Sequence, residues 1–444
     1  MPQPRRAPCR ALRTALRPAL RPCIVAALIL CWAGALSVAR AAAGTSAVAF
    51  PPGANTTGGP AVNTGALQAD EGPHLILSTE WRDEDNPFRL APAVDAATVL
   101  GNADRSDRLA VYAIGLRYDK TWSLQRVELA IDAAAYRYQT FSRYDFNAAD
   151  YLAAWHWHLT PRLSGTLSAT RTESLRNYSD FGNFSIRNIL TEERQQASAD
   201  WWLAGSWHLI GALTESRSRN SENIGAVVAD VRSVAEGGVR YVSAAENVAA
   251  VVLRHARGHY EGRSADPLTR TGAAFDDNEA EARVVWKSGA GSRLEARAGW
   301  LERRHDQFPE RDFSGPVGRL TALWALAAHT SVALSAGRQL YSFQEFANSY
   351  YVMRDLGFGP TWTPSAKTTV NLQWQRVARD FRGALVPVPA LREDRIRALA
   401  LAAGWTPSAK SLVQLTWSRE RRDSNYAVFD YRARIIGLRG QLAF

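Results

Sequence analysis

The chain has 444 residues, of which 53 are basic and 43 acidic, for a formal net charge of +10. All three cysteines (Cys9, Cys23 and Cys31) and seven of the basic residues lie in the first 41 positions, which contain no acidic residue. The rest of the chain therefore has no cysteine and a net charge of only +3, which excludes a disulfide framework and gives no support to nucleic-acid binding.

Residues 1–41 predict an export signal. Six arginines precede an apolar run at 23–39, and Ala39 and Ala41 place small residues at the −3 and −1 positions of a cut after Ala41. This order is typical of a secretory signal peptide. A membrane anchor is the alternative, but the apolar run is short and ends in small residues. We expect the mature chain to begin near Ala42.

Residues 42–72 predict a flexible periplasmic linker. They are rich in Gly, Pro, Thr and Ala and show no apolar periodicity. A partner-binding tail is the alternative interpretation of the same composition.

From 73 to 444 the dominant hydrophobic period is two, which indicates β-strands. At 163–170, for example, Leu163 and Leu167 alternate with Ser164 and Thr166. No comparably long segment keeps a helical period, and no run of about 20 apolar residues follows the signal that could form a membrane-spanning helix. We therefore predict an all-β fold.

The predicted connections alternate between short turns, such as 119–122 and 363–367, and long polar loops, such as 83–107 and 376–392. Short turns on one side and long loops on the other are typical of bacterial outer-membrane barrels with an even number of strands. A propeller has a similar repeat length but no such alternation. The sequence thus predicts a closed antiparallel transmembrane outer-membrane β-barrel of about 18 strands (range about 16–18), with both ends of the chain on the periplasmic side.

The sequence WTPSAK occurs at 362–367 and again at 405–410. We interpret each copy as a periplasmic turn in which the Trp anchors at the membrane interface, the Pro presets φ and the Lys reaches water. Further tryptophans on the apolar faces fall at two levels and predict two interfacial aromatic girdles. Their members are Trp157, Trp286, Trp362 and Trp405 at one level, and Trp300, Trp374 and Trp417 at the other.

The last strand alternates apolar residues in steps of two back from the final Phe. These positions resemble the signal read by the outer-membrane barrel assembly machinery: Ile436, Leu438, Gly440, Leu442 and Phe444. Because an Arg facing lipid at the membrane centre costs about 2–4 kcal/mol, four strand arginines are expected to face the lumen. They are Arg293, Arg297, Arg319 and Arg397.

Catalytic and metal-binding patterns are sparse. His156 and His158 share one strand face but lack a further ligand nearby in sequence, and the acidic stretches 83–86 and 276–279 are better explained as solvated loops. We expect no catalytic residue, no metal and no cofactor.

The entry segment 74–90, with its Asp85-Asn86-x-Phe88-Arg89-Leu90 motif, and the Trp-x-Pro-x-x-Lys turns resemble a family of β-barrel porins. This is the exosortase B-associated extracellular polysaccharide biosynthesis transporter family. The resemblance implies an outer-membrane component for exopolysaccharide synthesis and export in a Gram-negative bacterium. A general diffusion porin is the alternative function and an outer-membrane enzyme a distant third. Expected partners are outer-membrane lipid and lipopolysaccharide, the assembly machinery, exported polysaccharide and periplasmic export components.

Overall fold

The computed structural model describes residues 71–180, 186–222, 230–268, 270–289, 291–343, 348–385 and 387–444. These residues form one sheet in which each strand pairs antiparallel with its neighbour in sequence, and the eighteenth strand pairs back onto the first. The prediction of a closed barrel of 18 antiparallel strands is confirmed. The predicted signal peptide (1–41) and positions 42–70 of the predicted linker lie outside the described residues.

The first nine strands are β1 (Gly72–Glu84), β2 (Asp107–Trp122), β3 (Gln125–Tyr138), β4 (Phe146–Thr160), β5 (Leu163–Leu175), β6 (Ile189–Ala204), β7 (Trp207–Asn220), β8 (Asp230–Val242) and β9 (Val248–Tyr260). The other nine are β10 (Ala274–Ser288), β11 (Ser292–His305), β12 (Phe313–Ala327), β13 (Thr330–Ser342), β14 (Tyr350–Ser365), β15 (Thr368–Arg382), β16 (Glu393–Ser408), β17 (Ser411–Ser424) and β18 (Tyr431–Ala443).

Helical structure in the described residues is confined to the long connections. There is one short α-helix, α1 (Ala96–Leu100), and four single 3₁₀ turns. The 3₁₀ turns are Ser142–Tyr144, Tyr178–Asp180, Pro309–Arg311 and Ala427–Phe429. None of the described helices is long and apolar enough to cross a membrane.

Connection lengths alternate around the barrel, as the sequence predicts. Both WTPSAK copies form two-residue turns, at 366–367 and 409–410, after a register shift that follows the Trp of each copy. The strands extend farther toward the long loops than predicted: β15 continues to Arg382, although the sequence predicts a loop from 376. The hydrogen-bond ladder does not depend on lipid contact, so it continues after the hydrophobic alternation has stopped.

The outward surface of the barrel carries a broad apolar band. On β9, for example, the outward side chains of Val251 and Leu253 are 62% and 66% exposed, whereas Val252 between them faces inward and is 1% exposed. An apolar surface that encircles the whole molecule would be unfavourable in water and matches the hydrocarbon layer of a membrane. Ring closure also leaves no strand edge unpaired in lipid. The chain is a transmembrane β-barrel of the outer-membrane type.

The seven predicted girdle tryptophans all occupy outward positions of their strands. Additional outward tryptophans lie close to the short turns, among them Trp122, Trp207 and Trp324. The C-terminal residues close the ring, since the Phe444 amide donates to the Leu75 carbonyl at 2.9 Å and the Leu75 amide donates back to Phe444 at 3.2 Å.

Candidate functional site in the barrel lumen

The third long connection, loop 3 (176–188), is described at 176–180 and 186–188, and its residue Asp180 lies against the opposite wall of the barrel. Its 3₁₀ turn ends at Asp180, whose carboxylate contacts three arginines: Arg422 at 2.6 Å, Arg392 at 2.8 Å and Arg379 at 3.1 Å. Arg379 and Arg422 point inward from β15 and β17, and Arg392 directly precedes β16. Loop 3 is therefore fixed to the far side of the barrel by ion pairs.

The Asp180 cluster is almost completely buried. Arg422 is 1% exposed and Asp180 is 8% exposed, so each charge depends on its partners rather than on water. Burial alone would raise the pKa of Asp180, but the charges of Arg379, Arg422 and Arg392 prevail and hold that pKa below its ordinary value. The carboxylate therefore stays charged at neutral pH, which keeps the ion pairs intact.

The first long connection, loop 1 (85–106), packs against loop 3 through aromatic rings. The Phe88 ring of loop 1 is 1% exposed, and its centroid lies 6.0 Å from that of Tyr178 in loop 3. It also lies 4.4 Å from that of Tyr144, which belongs to the second long connection (139–145) and packs between the two loops. Tyr178 precedes Asp180 by two positions in the same 3₁₀ turn. Loops 1 and 3 thus form one layer at the long-loop end, with an apolar anchor on one side and an ionic anchor on the other.

Below this layer, three lumen-facing arginines form a row across neighbouring strands. Arg297 on β11 stands directly opposite Arg283 on β10 and opposite Arg319 on β12. Like charges in such positions repel, so carboxylates must compensate. Glu281 contacts the Arg283 guanidinium, and Asp355 lies 3.2 Å from Arg319.

Arg297 is the least neutralised member of this row. Its nearest carboxylate oxygen, on Glu281, is 4.0 Å away, and its side chain is 40% exposed. The guanidinium is therefore open to a solute in the lumen. Arg293, four positions earlier, also faces the lumen and lies 2.7 Å from Glu295.

The prediction that Arg397 faces the lumen is wrong. Arg397 shares the outward face of β16 with the exposed Leu401 and Trp405, while the inward positions Ile396 and Ala398 are buried. Its direct cross-strand partners are Arg376 and Arg421. It belongs to the outer surface on the long-loop side of the apolar band.

His156 and His158 face a lumen recess of about 380 Å³ near the short turns. His156 lies 3.4 Å from Glu128, and the His158 ring lies 2.8 Å from the Leu124 carbonyl. The interpretation of the acidic stretch 276–279 as a solvated loop is wrong: it lies in β10, and its Asp277 is buried against Arg303 at 2.7 Å. Over the described ranges, no group of three or more His, Cys, Asp or Glu side chains is placed to hold a metal ion.

The Asp180 cluster has no signal in the sequence. Asp180 lies in a polar loop and its partners follow about 200 positions or more later, at separations of 199, 212 and 242 residues. No local spacing marks such a contact. Of the three arginines in the lumen row, Arg297 and Arg319 could be predicted from the sequence but Arg283 could not. Arg283 lies on a strand whose alternation is broken by acidic residues on both faces.

No protein-family model matches the chain, and no curated protein matches its sequence. Among solved structures, the chain is similar to the siderophore receptor PirA from Pseudomonas aeruginosa, with 12% identity over 85% of this chain and 81% of the receptor and a TM-score of 0.42. A BenF-like porin from Pseudomonas fluorescens Pf-5 shows 8% identity over 84% of this chain and 98% of the porin, with a TM-score of 0.45. Function must therefore be argued from the residues of this barrel.

Proposed function

We propose that this barrel resides in the outer membrane and acts as a conduit for an exported, acidic exopolysaccharide. The observation that carries the proposal is the row of lumen arginines, Arg283, Arg297 and Arg319. A guanidinium offers two parallel donors to a carboxylate or a phosphate, which are the charged groups of acidic polysaccharides.

The partial neutralisation of the row suits transport rather than tight binding. A conduit must attract its substrate and also release it. The carboxylates of Glu281 and Asp355 remain in place and compete for the same guanidinium groups. Each passing acidic group would exchange one ion pair for another, so the affinity at any one position stays low.

The resemblance of the entry segment and turns to exosortase B-associated barrels supports the same assignment. In this proposal the long loops face the cell exterior and the short turns face the periplasm, where the export components and the 42–72 linker would lie. We also propose that the outward apolar band contacts outer-membrane lipid and that the barrel assembly machinery inserts the protein.

A general diffusion porin is the second candidate, and loop 3 favours it. The Asp180 anchor crosses the lumen, and a narrowing there admits small solutes more readily than a polymer chain. Polymer passage would require this anchor to open, whereas solute diffusion would not.

Removing positive charge from the lumen distinguishes the two candidate functions, conduit and general porin. Replacing Arg293 and Arg297 with Gln removes two lumen charges and leaves Asp355, which is 4% exposed, paired with Arg319. The matched control replaces Arg257 and Arg304, outward side chains that are 70% and 67% exposed. Cell-surface polysaccharide and uptake of a small antibiotic are measured at equal barrel levels.

If the conduit proposal is correct, surface polysaccharide falls in the lumen variant and not in the control, while antibiotic uptake changes little. Normal polysaccharide in both the lumen variant and a gene deletion would reject the conduit in favour of the porin.

A further inference from the structure

Four arginines form a continuous row on the outward surface of β15–β18. Arg376 stands directly opposite Arg397, Arg397 opposite Arg421, and Arg421 opposite Arg432. All four side chains are exposed. The row lies on the long-loop side of the apolar band.

Most of this positive charge is uncompensated. Arg421 lies 2.6 Å from Asp423, but Arg376, Arg397 and Arg432 make no ion pair with any carboxylate in the described parts of the chain. Like charges directly opposite one another in a sheet repel. Such a row is therefore unfavourable by itself and becomes favourable when an anion binds across it.

Outward arginines elsewhere on the barrel are arranged differently. On β7 and β9 they have acidic neighbours: Arg217 lies 3.2 Å from Glu261, and Arg257 lies 3.0 Å from Asp276. Among the described residues, four outward arginines directly opposed on successive strands occur only in the β15–β18 sector.

Toward the membrane centre, the same outward faces become apolar within one or two outward positions. On β15 and β16 the next outward residues are Trp374 and Leu399. On β17 and β18 a second pair of exposed, directly opposed arginines, Arg419 and Arg434, comes first, and Trp417 and Ile436 follow. Trp374 and Ile436 are 36% and 45% exposed on this surface. The sector therefore presents a strip of guanidinium groups above an apolar wall, which matches an amphiphile with anionic head groups.

We propose that the β15–β18 sector is a binding site for lipopolysaccharide. Its lipid A phosphates would bridge neighbouring guanidinium groups in the row, and its acyl chains would lie along Trp374, Leu399, Trp417 and Ile436. Arginine pairs bidentately with phosphate, and a bridging phosphate relieves the repulsion between adjacent strands. The choice of this glycolipid rests on the orientation in the proposed function, in which the long-loop end faces the outer leaflet.

The test compares purified, folded barrels in detergent. The site variant replaces Arg376, Arg397 and Arg432 with Gln. The control replaces Arg217, Arg257 and Arg219 with Gln, where Arg219 is a second outward arginine of β7 and lies 3.8 Å from Glu261. Both variants therefore lose three outward charges. Binding of bisphosphorylated lipid A, of phosphatidylglycerol and of inorganic phosphate is measured by native mass spectrometry and by titration. Retention of the heat-modifiable electrophoretic band verifies that each variant is folded.

We expect the site variant to bind lipid A at least roughly tenfold more weakly than the wild type, since three modest charge contacts are lost together. The control should bind lipid A like the wild type, and phosphatidylglycerol and inorganic phosphate should bind the wild type much more weakly than lipid A. A Lys variant at the same three positions should retain part of the affinity, because it keeps the charge but loses the paired donors.

Equal lipid A affinity in wild type and site variant would overturn the proposal, as would an equal loss in the control. Equal wild-type affinity for phosphatidylglycerol and lipid A would also overturn it, by assigning the row to phospholipid. These results are independent of polysaccharide export, because the site variant leaves Arg293 and Arg297 in the lumen unchanged.

Discussion

The Arg422 guanidinium lies 2.6 Å from the carboxylate of Asp180, although 242 positions separate the two residues. This contact joins loop 3 to the opposite wall of the barrel, and Arg379 and Arg392 complete it. The contact crosses the lumen at the long-loop end.

Replacing Asp180 with Asn should release loop 3. The change leaves three arginines, each less than 9% exposed, without their shared carboxylate, and breaking such a buried pair costs on the order of 3 kcal/mol. We expect a higher and noisier single-channel conductance in planar bilayers, together with a lower free energy of unfolding.

The matched control for that variant is Glu302→Gln. Glu302 pairs with Arg304 at 2.8 Å, but both side chains are exposed and screened by water, so conductance and the free energy of unfolding should stay close to those of the wild type. Wild-type conductance in the Asp180 variant would show that loop 3 is held by its aromatic contacts alone.

Acidification should open the same anchor. The pKa of Asp180 is lower in the folded barrel than in the unfolded chain because the arginine charges outweigh burial. The ion pairs therefore contribute their full stability above the ordinary Asp pKa of about 3.9, and this stability is lost as the pH falls below it. Conductance recorded from pH 7 downward should rise only below about pH 4. The Asp180→Asn variant should lack this rise, and a rise shared by both proteins would assign it to other groups.

The lipid face of β15 can be tested by the parity of its residues. Leu372 points outward between Val370 and Trp374, whereas Asn371 points inward and donates to Thr361 at 2.7 Å. Leu372→Arg should reduce folded barrel in the membrane, because an Arg near the membrane centre costs about 2–4 kcal/mol. Asn371→Arg should change the amount of folded barrel little, because position 371 faces the lumen. Heat-modifiable electrophoresis measures both, and equal damage would mean that both faces of β15 are buried.

Deletion of Phe444 should impair assembly. Its backbone exchanges two hydrogen bonds with Leu75 at the β1–β18 seam, and its side chain is 59% exposed on the outward face. We expect less barrel in the outer membrane and more protease-sensitive protein in the periplasm, measured by fractionation. Phe444→Tyr keeps an aromatic ring and serves as the control. Normal outer-membrane levels after the deletion would contradict the assembly role.

The strands could be predicted from the sequence because lipid on one side and water on the other impose an alternation of two. Arg397 shows where this reasoning fails. Arg397 has the parity of the predicted girdle residue Trp405, which already places it on the outward face. The prediction of a lumen position follows from the cost of an Arg in lipid, but Arg397 lies on the long-loop side of the apolar band, where that cost does not apply.

The lumen layer could not be predicted for a different reason. Phe88 and Asp180 lie in polar loops. Phe88 is placed by Tyr138 at the end of β3, and Asp180 by Arg379 and Arg422 of β15 and β17, which come near it only when the ring is closed. The outward arginine row did leave a signal in the sequence. In each of β15–β18, an arginine continues the outward parity of the apolar residues on the side of the long loop.

The two copies of WTPSAK contact each other, since the Lys367 ammonium donates to the Pro407 carbonyl at 3.0 Å. A hairpin of this kind includes both the turn and the contact that joins it to the next identical turn. Gene duplication of such a unit would add two strands at once and keep both chain ends on the same side of the membrane. The number of strands in this barrel can therefore change in evolution two at a time, and the first and last strands would still pair antiparallel to close the ring.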